Sequence, residues 1–291
     1  MLISTLPSVH RPELIEKMCE HPLVDGVRYN VGIRTSYSPL TVLSYLKKVA
    51  NGKKLWVDLK GRQIRITKWA DPTYGDIELT HEIEVDLPAK VFFRGGQWSN
   101  IVEVDGNKIF VDPDPKEALG AGQAINIIGK NLKIKGECLT EMDKQYIVAS
   151  SKLGIHDYML SFVEQDSDLE DVRSLDHDAN IVLKIESLKG LAYVPHTTEN
   201  LMAARDDLMI NIGENKGEII NALKLIIEKD PDAMVASCIL TSRNLTMADI
   251  SDLALLHNMG YKHYVLSDDV SHNRFDESVK NFEMIQKCFL L

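Results

Sequence analysis

The stretch Ile181-Val182-Leu183-Lys184-Ile185-Glu186 decides how this chain folds. Branched apolar residues alternate there with period two, so it reads as a β-strand. Side chains of a strand alternate between faces. Ile181, Leu183 and Ile185 therefore share one face, and Val182, Lys184 and Glu186 share the other. The second face starts apolar and ends on an ammonium and a carboxylate. Something at the C-terminal end of this strand must use both charges.

Working outward, similar runs alternate with helical patterns. Residues 2–6, 26–31 and 54–60 read as strands one to three, with helices over 12–21 and 39–50. The rhythm resumes at Thr140, a candidate cap for the helix TEMDKQYIVASSKLG. Residues 158–163 are expected as strand four, and 169–175 as a helix. After strand five a helical segment, a loop and a second helical stretch over 199–204 are expected. Strand six is expected over 207–213 with its helix at 216–229. Strand seven is expected over 233–239 with its helix at 247–258, and strand eight over 261–267 before a last helix at 277–289. Between 66 and 138 the pattern turns β-like. DIELTHEIEVDL alternates with period two, and NIVEVDGNKIFVD carries a hairpin signal with Asp105-Gly106 as the turn.

Eight strand–helix units with one interruption predict an α/β fold, a (β/α)8 TIM barrel. The barrel is expected from residues 1–65 and 139–291, with a small β-rich domain, 66–138, inserted after strand three. About 220 residues remain for the barrel, within the usual range of that fold. A doubly wound open sheet is the alternative, but no glycine-rich dinucleotide fingerprint follows strand one.

Composition narrows the partners. The chain is 44% hydrophobic and 26% charged, as in soluble globular proteins, and its 291 residues suit one large domain or two ordinary ones. A formal net charge of -10 repels phosphate backbones and argues against nucleic acid. No apolar run approaches the ~20 residues of a membrane span, and the N-terminus lacks the pattern of a signal peptide. Cys19, Cys138, Cys238 and Cys288 are scattered without a C-x-x-C pair, which predicts reduced thiols in the cytoplasm.

Active sites of such barrels lie at the C-terminal strand ends. Strand two ends with Arg28 and Asn30, strand three with Asp58 and Lys60, and Arg65 follows. Strand five ends with Lys184 and Glu186, strand six runs into Gly213-Glu214, strand seven carries Ser237, and strand eight ends in Ser267-Asp268-Asp269. Any one pair could be a solvated rim or a structural ion pair; their convergence on one mouth predicts a site, since buried charges without partners are costly. Glu186 and Glu214 are hard oxygen donors suited to Mg²⁺ or Mn²⁺. Backbone N–H groups at Gly213 onward are a candidate carboxylate site. Arg28, Lys60, Arg65 and Lys184 predict a cationic pocket for a small anionic substrate. His156, His196 and His272 lack ligand-like spacing and read as loop residues, and Trp56 reads as core.

These motifs together resemble the pyruvate kinase family. VASSKLGIHDYMLSFVEQDSDLEDVRSL is similar to its segment ending in Ser-Phe-Val and an Asp-Val pair, and LKIES to Lys-Ile-Glu-Asn. DLKGRQIR resembles Asp-Thr-Lys-Gly-Pro-Glu-Ile-Arg, and VRYN resembles Arg-Leu-Asn-Phe. MINIGEN is set against Met-Val-Ala-Arg-Gly-Asp-Leu, VASCIL against Cys-Ala-Thr-Gln-Met-Leu, and LSDDV against Leu-Ser-Gly-Glu-Thr. The insert falls where that family places its lid. The resemblance implies a magnesium-dependent transferase of glycolysis, a kinase moving a phosphoryl group between phosphoenolpyruvate or pyruvate and ADP or ATP. It implies that Lys184 stabilises the transferred group, that Glu186 and Glu214 hold the divalent ion, and that Arg28 and Arg65 bind phosphate. Asn30 and Asp58 match ligands of a monovalent cation, and Ser237 the threonine near the protonated carbon.

The departures are Gly32 and Ile33 for serine and histidine, Leu59 for threonine, Arg62 for proline and Gln63 for glutamate. They count against a potassium site and weaken the nucleotide site. The family's C-terminal regulatory domain is expected to be absent, and a homo-oligomer is left open. Two other functions remain open as well: metal-dependent enolate chemistry on a 2-oxo acid without nucleotide, as in a lyase, and a silent metabolite-binding barrel.

Overall fold

The chain runs β1 (Leu2–Thr5), α1 (Pro12–Glu20), β2 (Gly26–Asn30), α2 (Pro39–Ala50) and β3 (Lys54–Leu59). It continues through β4 (Ile77–Glu78), β5 (Ile83–Phe93), β6 (Gln97–Asp105), β7 (Lys108–Asp112) and β8 (Ile125–Ile134). Then follow α3 (Glu141–Lys152), β9 (Asp157–Leu160), α4 (Asp166–Leu175), β10 (Asn180–Ile185), α5 (Leu188–Tyr193), β11 (Asn200–Ala204) and α6 (Arg205–Asn211). The last elements are α7 (Ile219–Lys229), β12 (Met234–Ala236), α8 (Met247–Met259), β13 (His263–Val265), α9 (Asp268–Asn273) and α10 (Phe275–Phe289). This computed structural model describes residues 1–93, 95–117 and 119–289; Leu290 and Leu291, the end of the expected barrel range, lie outside the described residues.

Among the described residues, eight parallel strands close into a barrel in the order β1-β13-β12-β11-β10-β9-β3-β2, and β4 to β8 form a separate sheet in the order β4-β7-β6-β5-β8. The first is the expected (β/α)8 architecture, not the open sheet. Ile181, Leu183 and Ile185 face the helix layer, and Val182 faces the barrel interior, as the alternation requires. The interior is filled by Ile3, Trp56, Met159, Val182, Met202, Met234, Ala236 and Val265. Trp56 is therefore core. Its ring leans over Gly26 of β2, where a Cβ would lie 2.4 Å from ring carbon Cζ3, so only glycine leaves room.

The sheet of β4 to β8 is antiparallel and interrupts the barrel after β3. It has its own core, including Ile77, Leu79, Ile83, Val91, Phe93 and Ile109, distinct from that of the barrel. The expected hairpin is present one residue later than the sequence implied. Asp105 pairs with Lys108, so Gly106-Asn107 form the turn, with Gly106 at φ +60°.

Thr140 caps α3 in a reciprocal box with Asp143. Buried Asp143 also accepts the N–H groups of Lys60 at 2.8 Å and Gly61 at 3.2 Å, which fixes the loop leaving β3.

One strand was misplaced in the sequence. The expected helical stretch over 199–204 is β11, and most of the expected strand 207–213 is α6. Met202, Ala203 and Ala204 favour a helix by propensity, but pairing with β10 and β12 buries them in the sheet. Smaller shifts trim strands seven and eight to Met234–Ala236 and His263–Val265.

Candidate functional site

One step up the pleat, the barrel interior changes from apolar to charged. Arg28 stands above Gly26, Asp58 above Trp56, Ser161 above Met159 and Lys184 above Val182, each two residues on. Arg28, Asp58, Lys184 and Glu186 are all buried. Lys184 Nζ donates to Ser161 Oγ at 2.7 Å and lies 3.1 Å from Glu186 Oε1 and 3.4 Å from Asp58 Oδ1. Arg28 Nη1 reaches Asp58 Oδ2 at 3.0 Å, and its Nη2 donates to Asp268 Oδ1 at 2.6 Å. Unpaired, such charges would each cost several kcal/mol to bury; here each has a partner.

The electrostatics follow from that sharing. Burial alone would discharge Lys184, but Asp58 and Glu186 hold its pKa above the ordinary value. Burial pushes the Glu186 carboxyl up to about 7, with Lys184 opposing and Asp207 adding to the rise. The other Glu186 oxygen accepts the Phe162 N–H at 2.8 Å.

These side chains line one cavity of about 650 Å³ at the C-terminal strand ends. The inserted sheet forms part of its wall through Phe92, Gly95 and Asn126. Asn126 Nδ2 donates to Asp207 Oδ1 at 2.9 Å, and Asn211 Nδ2 donates to Asn126 Oδ1 at 2.9 Å and to the Glu186 carbonyl at 2.9 Å. Insert, α6 and β10 are thereby tied together at the site.

After β12 the backbone enters the left-handed region at Ser237 (φ +68°) and Cys238 (φ +57°). Such residues are strained unless their surroundings hold them. Buried Arg205 does so. Its Nε and Nη2 donate to the Ser237 carbonyl at 3.2 and 2.7 Å, while Nη1 and Nη2 bind Asp252 at 2.6 and 2.8 Å.

Most of the sequence-predicted residues converge. Arg28, Asn30, Asp58, Lys60, Arg65, Lys184, Glu186 and Ser237 all line the cavity. Arg65 donates to the Gly122 carbonyl at 2.7 Å and to Gln63, so the insert's entry loop holds it. Gly213 and Glu214 do not line it; they follow the end of α6, and Glu214 is exposed. The strand misplacement explains this, because the true β11 ends at Ala204, nine residues before the expected end of strand six. Asp207 in the first turn of α6 occupies the mouth instead.

The expectation of a cationic pocket is also corrected. Among the described residues the lining carboxylates are Asp58, Glu186, Asp206, Asp207, Asp268 and Asp269, which outnumber the cations Arg28, Lys60, Arg65 and Lys184. Sequence reasoning missed Asp207, Asn126, Ser161 and Arg205. The signal for Asp207 was the Arg-Asp-Asp run after small residues, acids where a helix N-terminus favours them.

Glu186 and Asp207 are the carboxylates with the chemistry to hold Mg²⁺ or Mn²⁺. They fit such an ion, because Asp207 raises the cost of ionising Glu186 and a dication relieves it. His156, at the opposite end of the barrel, lies in the loop before β9, as expected. It lies within ligand distance of Asp176 and Asp178, but Asp176 already accepts from His156 at 2.8 Å and from Tyr158 at 2.7 Å.

Comparison with known proteins agrees with this architecture. The family model for the pyruvate kinase barrel domain matches residues 99–247. The chain is 23% identical to a pyruvate kinase of Borreliella burgdorferi over 91% of its own length and 62% of the relative's. It is 27% identical to one from Geobacillus stearothermophilus over 69% of its length and 37% of the relative's. For one from Thermoplasma acidophilum the values are 23%, 87% and 51%. The chain thus spans less than two thirds of the length of these curated relatives.

Proposed function

This chain belongs to the pyruvate kinase family, and we propose that it is a pyruvate-kinase-like enzyme that stabilises the enolate of a pyruvate-type 2-oxo acid. The observation that carries this reading is the buried Lys184–Glu186 couple at the end of β10, with Asp207 beside it. Glu186 and Asp207 would hold the divalent ion, and Asp207 takes the role first given to Glu214. When bound, the ion supplies Lewis-acid polarisation of the carbonyl oxygen.

The rest falls to the protein's own groups. Lys184 stays charged and is fixed by Ser161, so it stabilises negative charge on the substrate oxygen without reorganising. Ser237 is presented by a turn that Arg205 clamps, and its hydroxyl relays the methyl proton to solvent, giving up its own proton as it takes that one. Asn126 orients Asp207, and the inserted sheet excludes water from one side as a lid. The thiols Cys19, Cys138, Cys238 and Cys288 are unpaired, which supports a reducing, cytoplasmic setting. Among the described residues no helix is long and apolar enough to cross a membrane.

A second reading adds phosphoryl transfer with ADP or ATP, the activity in the relatives' name. The insert wall and Arg65 beside the cavity favour it, since that reaction depends on positioning and charge neutralisation.

The test is exchange of pyruvate methyl protons with deuterated water, followed by NMR with Mg²⁺. Exchange is expected in the wild type and about 100-fold slower in Lys184→Met. A folded wild type without exchange would overturn the reading in favour of a silent binding barrel. ADP-dependent pyruvate formation from phosphoenolpyruvate, in a coupled assay, would establish the second.

A further inference from the structure

One buried cation of the cavity is already satisfied by the protein. The Arg28 guanidinium donates from Nε to Thr5 Oγ1 at 2.9 Å, faces Asp58 at 3.0 Å and binds Asp268 at 2.6 Å. Thr5 and Asp58 belong to the barrel wall and are buried. Asp268 differs from them. It opens α9 just beyond β13, lines the cavity, and its side chain is 45% exposed. Of these partners it is the one a ligand meets first and the one able to rotate away. It also stands where the pattern resembled by LSDDV has glycine, which carries no charge.

We propose that Asp268 is a specificity-determining gate that closes the Arg28 subsite to phosphoryl groups, so that the cavity selects an unphosphorylated 2-oxo acid over its enol phosphate. This deepens the enolate reading above and rests on it for the identity of the acid. A phosphoryl group brings close to two negative charges. To reach Arg28 Nη2 it must displace a carboxylate bound at 2.6 Å, a short charge-assisted bond. If it does not, it lies against Asp268 with like charge in a partly desolvated cleft. Asp269 on the same rim is already paired with Arg274 at 3.3 Å, so Asp268 is the carboxylate that meets the ligand. A 2-oxo acid is smaller, carries one charge, and needs Lys184 and the ion rather than Arg28.

Calorimetry on the full chain tests this, comparing wild type with Asp268→Asn and Asp268→Gly. The probes are oxalate and phosphoenolpyruvate with Mg²⁺, and inorganic phosphate without it. The wild type is expected to bind phosphoenolpyruvate at least about tenfold more weakly than oxalate, and both variants to gain about tenfold or more for phosphoenolpyruvate and for phosphate. Oxalate, which needs the ion and not Arg28, should gain clearly less than phosphoenolpyruvate. Adding Arg28→Met to Asp268→Asn should erase the gain, which a merely structural role for Asp268 would not predict. Equal wild-type affinity for oxalate and phosphoenolpyruvate, or no gain in two folded variants, overturns the gate. Inorganic phosphate reads the gate by itself: a gain supports it and no gain overturns it, however oxalate behaves. Failure of oxalate to bind the wild type overturns the metal–enolate reading instead.

Discussion

The lower and upper halves of the barrel interior are built by successive inward positions of the same strands, yet they differ in kind. On β2 the step is from Gly26 to Arg28, on β3 from Trp56 to Asp58, and on β10 from Val182 to Lys184. The lower layer is packed like any core, with one large ring filling the space left by a glycine. The upper layer buries charges that attract one another but were expensive to dehydrate. A buried ion pair contributes little net stability compared with apolar packing. The lower layer therefore holds the barrel closed, and the upper layer is retained for what it binds.

The sharpest way to break this comparison is to damage the lower layer. Trp56→Ala should cost about 3–5 kcal/mol of stability, because it removes the largest interior ring and leaves a cavity. Gly26→Ala should cost about 1–3 kcal/mol by overpacking against that ring. Combined with Trp56→Leu the cost of the added methyl should shrink, since the contact at 2.4 Å disappears. Denaturant unfolding measures all of these. Costs below about 1 kcal/mol for Trp56→Ala, or strict additivity of the pair, would mean that the lower layer does not support the barrel as described.

The two halves were also unequally legible in the sequence. Alternation at Ile181–Glu186 assigns inward and outward faces without any tertiary knowledge, and the lost rhythm after Lys60 marks the insert. The pairing of charges was not legible, because Arg28, Asp58, Lys184 and Asp268 come from four separate strand ends. Arg28 and Lys184 read as ligands for an anion and Asp58 as a ligand for a cation, whereas closure of the barrel makes them ligands for one another. β11 was misread for a local reason. Leu201 to Arg205 favour helix by composition, while Leu208-Met209-Ile210 is a short apolar run, and such runs do not distinguish strand from helix. Asp207 was lost with that error. Asn126 was beyond reach, since nothing local in β8 says that it meets α6 across the insert.

A smaller effect sharpens the upper half. Burial holds the Glu186 carboxyl at about 7 instead of the ordinary 4.5. Between those values the folded chain keeps a proton that the unfolded chain has released. Stability of the ligand-free protein should therefore fall as pH rises through that window. Glu186→Gln cannot ionise and should escape the loss. Its advantage over wild type should grow from pH 5 to pH 8, reaching at most about 3 kcal/mol. Affinity for oxalate with Mg²⁺ should move the opposite way in the wild type, rising up to about pH 7, because the ion needs the ionised carboxylate. Thermal melts at several pH values measure the first, and calorimetry the second. A melting difference that does not change with pH would show that Glu186 is not the buried acid described.

The smallest effect expected is that of potassium. Asn30 and Asp58 line the cavity where the family resemblance places a monovalent cation. Asp58 is already shared between Arg28 at 3.0 Å and Lys184 at 3.4 Å. Asn30 Oδ1 accepts the Gly32 N–H at 2.8 Å, and Gly32 offers no hydroxyl. A side chain there would also crowd this group, since a Cβ on Gly32 would lie 2.9 Å from Asn30 Oδ1 and 3.3 Å from the Lys60 side chain. Asn30 Oδ1 is thus spent on a backbone donor, and two fixed cations already balance Asp58. Replacing potassium chloride by tetramethylammonium chloride at constant ionic strength should change oxalate affinity and methyl-proton exchange by less than about twofold, well under 1 kcal/mol. A tenfold dependence on potassium would mean that Arg28 or Lys184 leaves Asp58 when substrate binds, and the upper layer would then be a mobile ion exchanger instead of a fixed one.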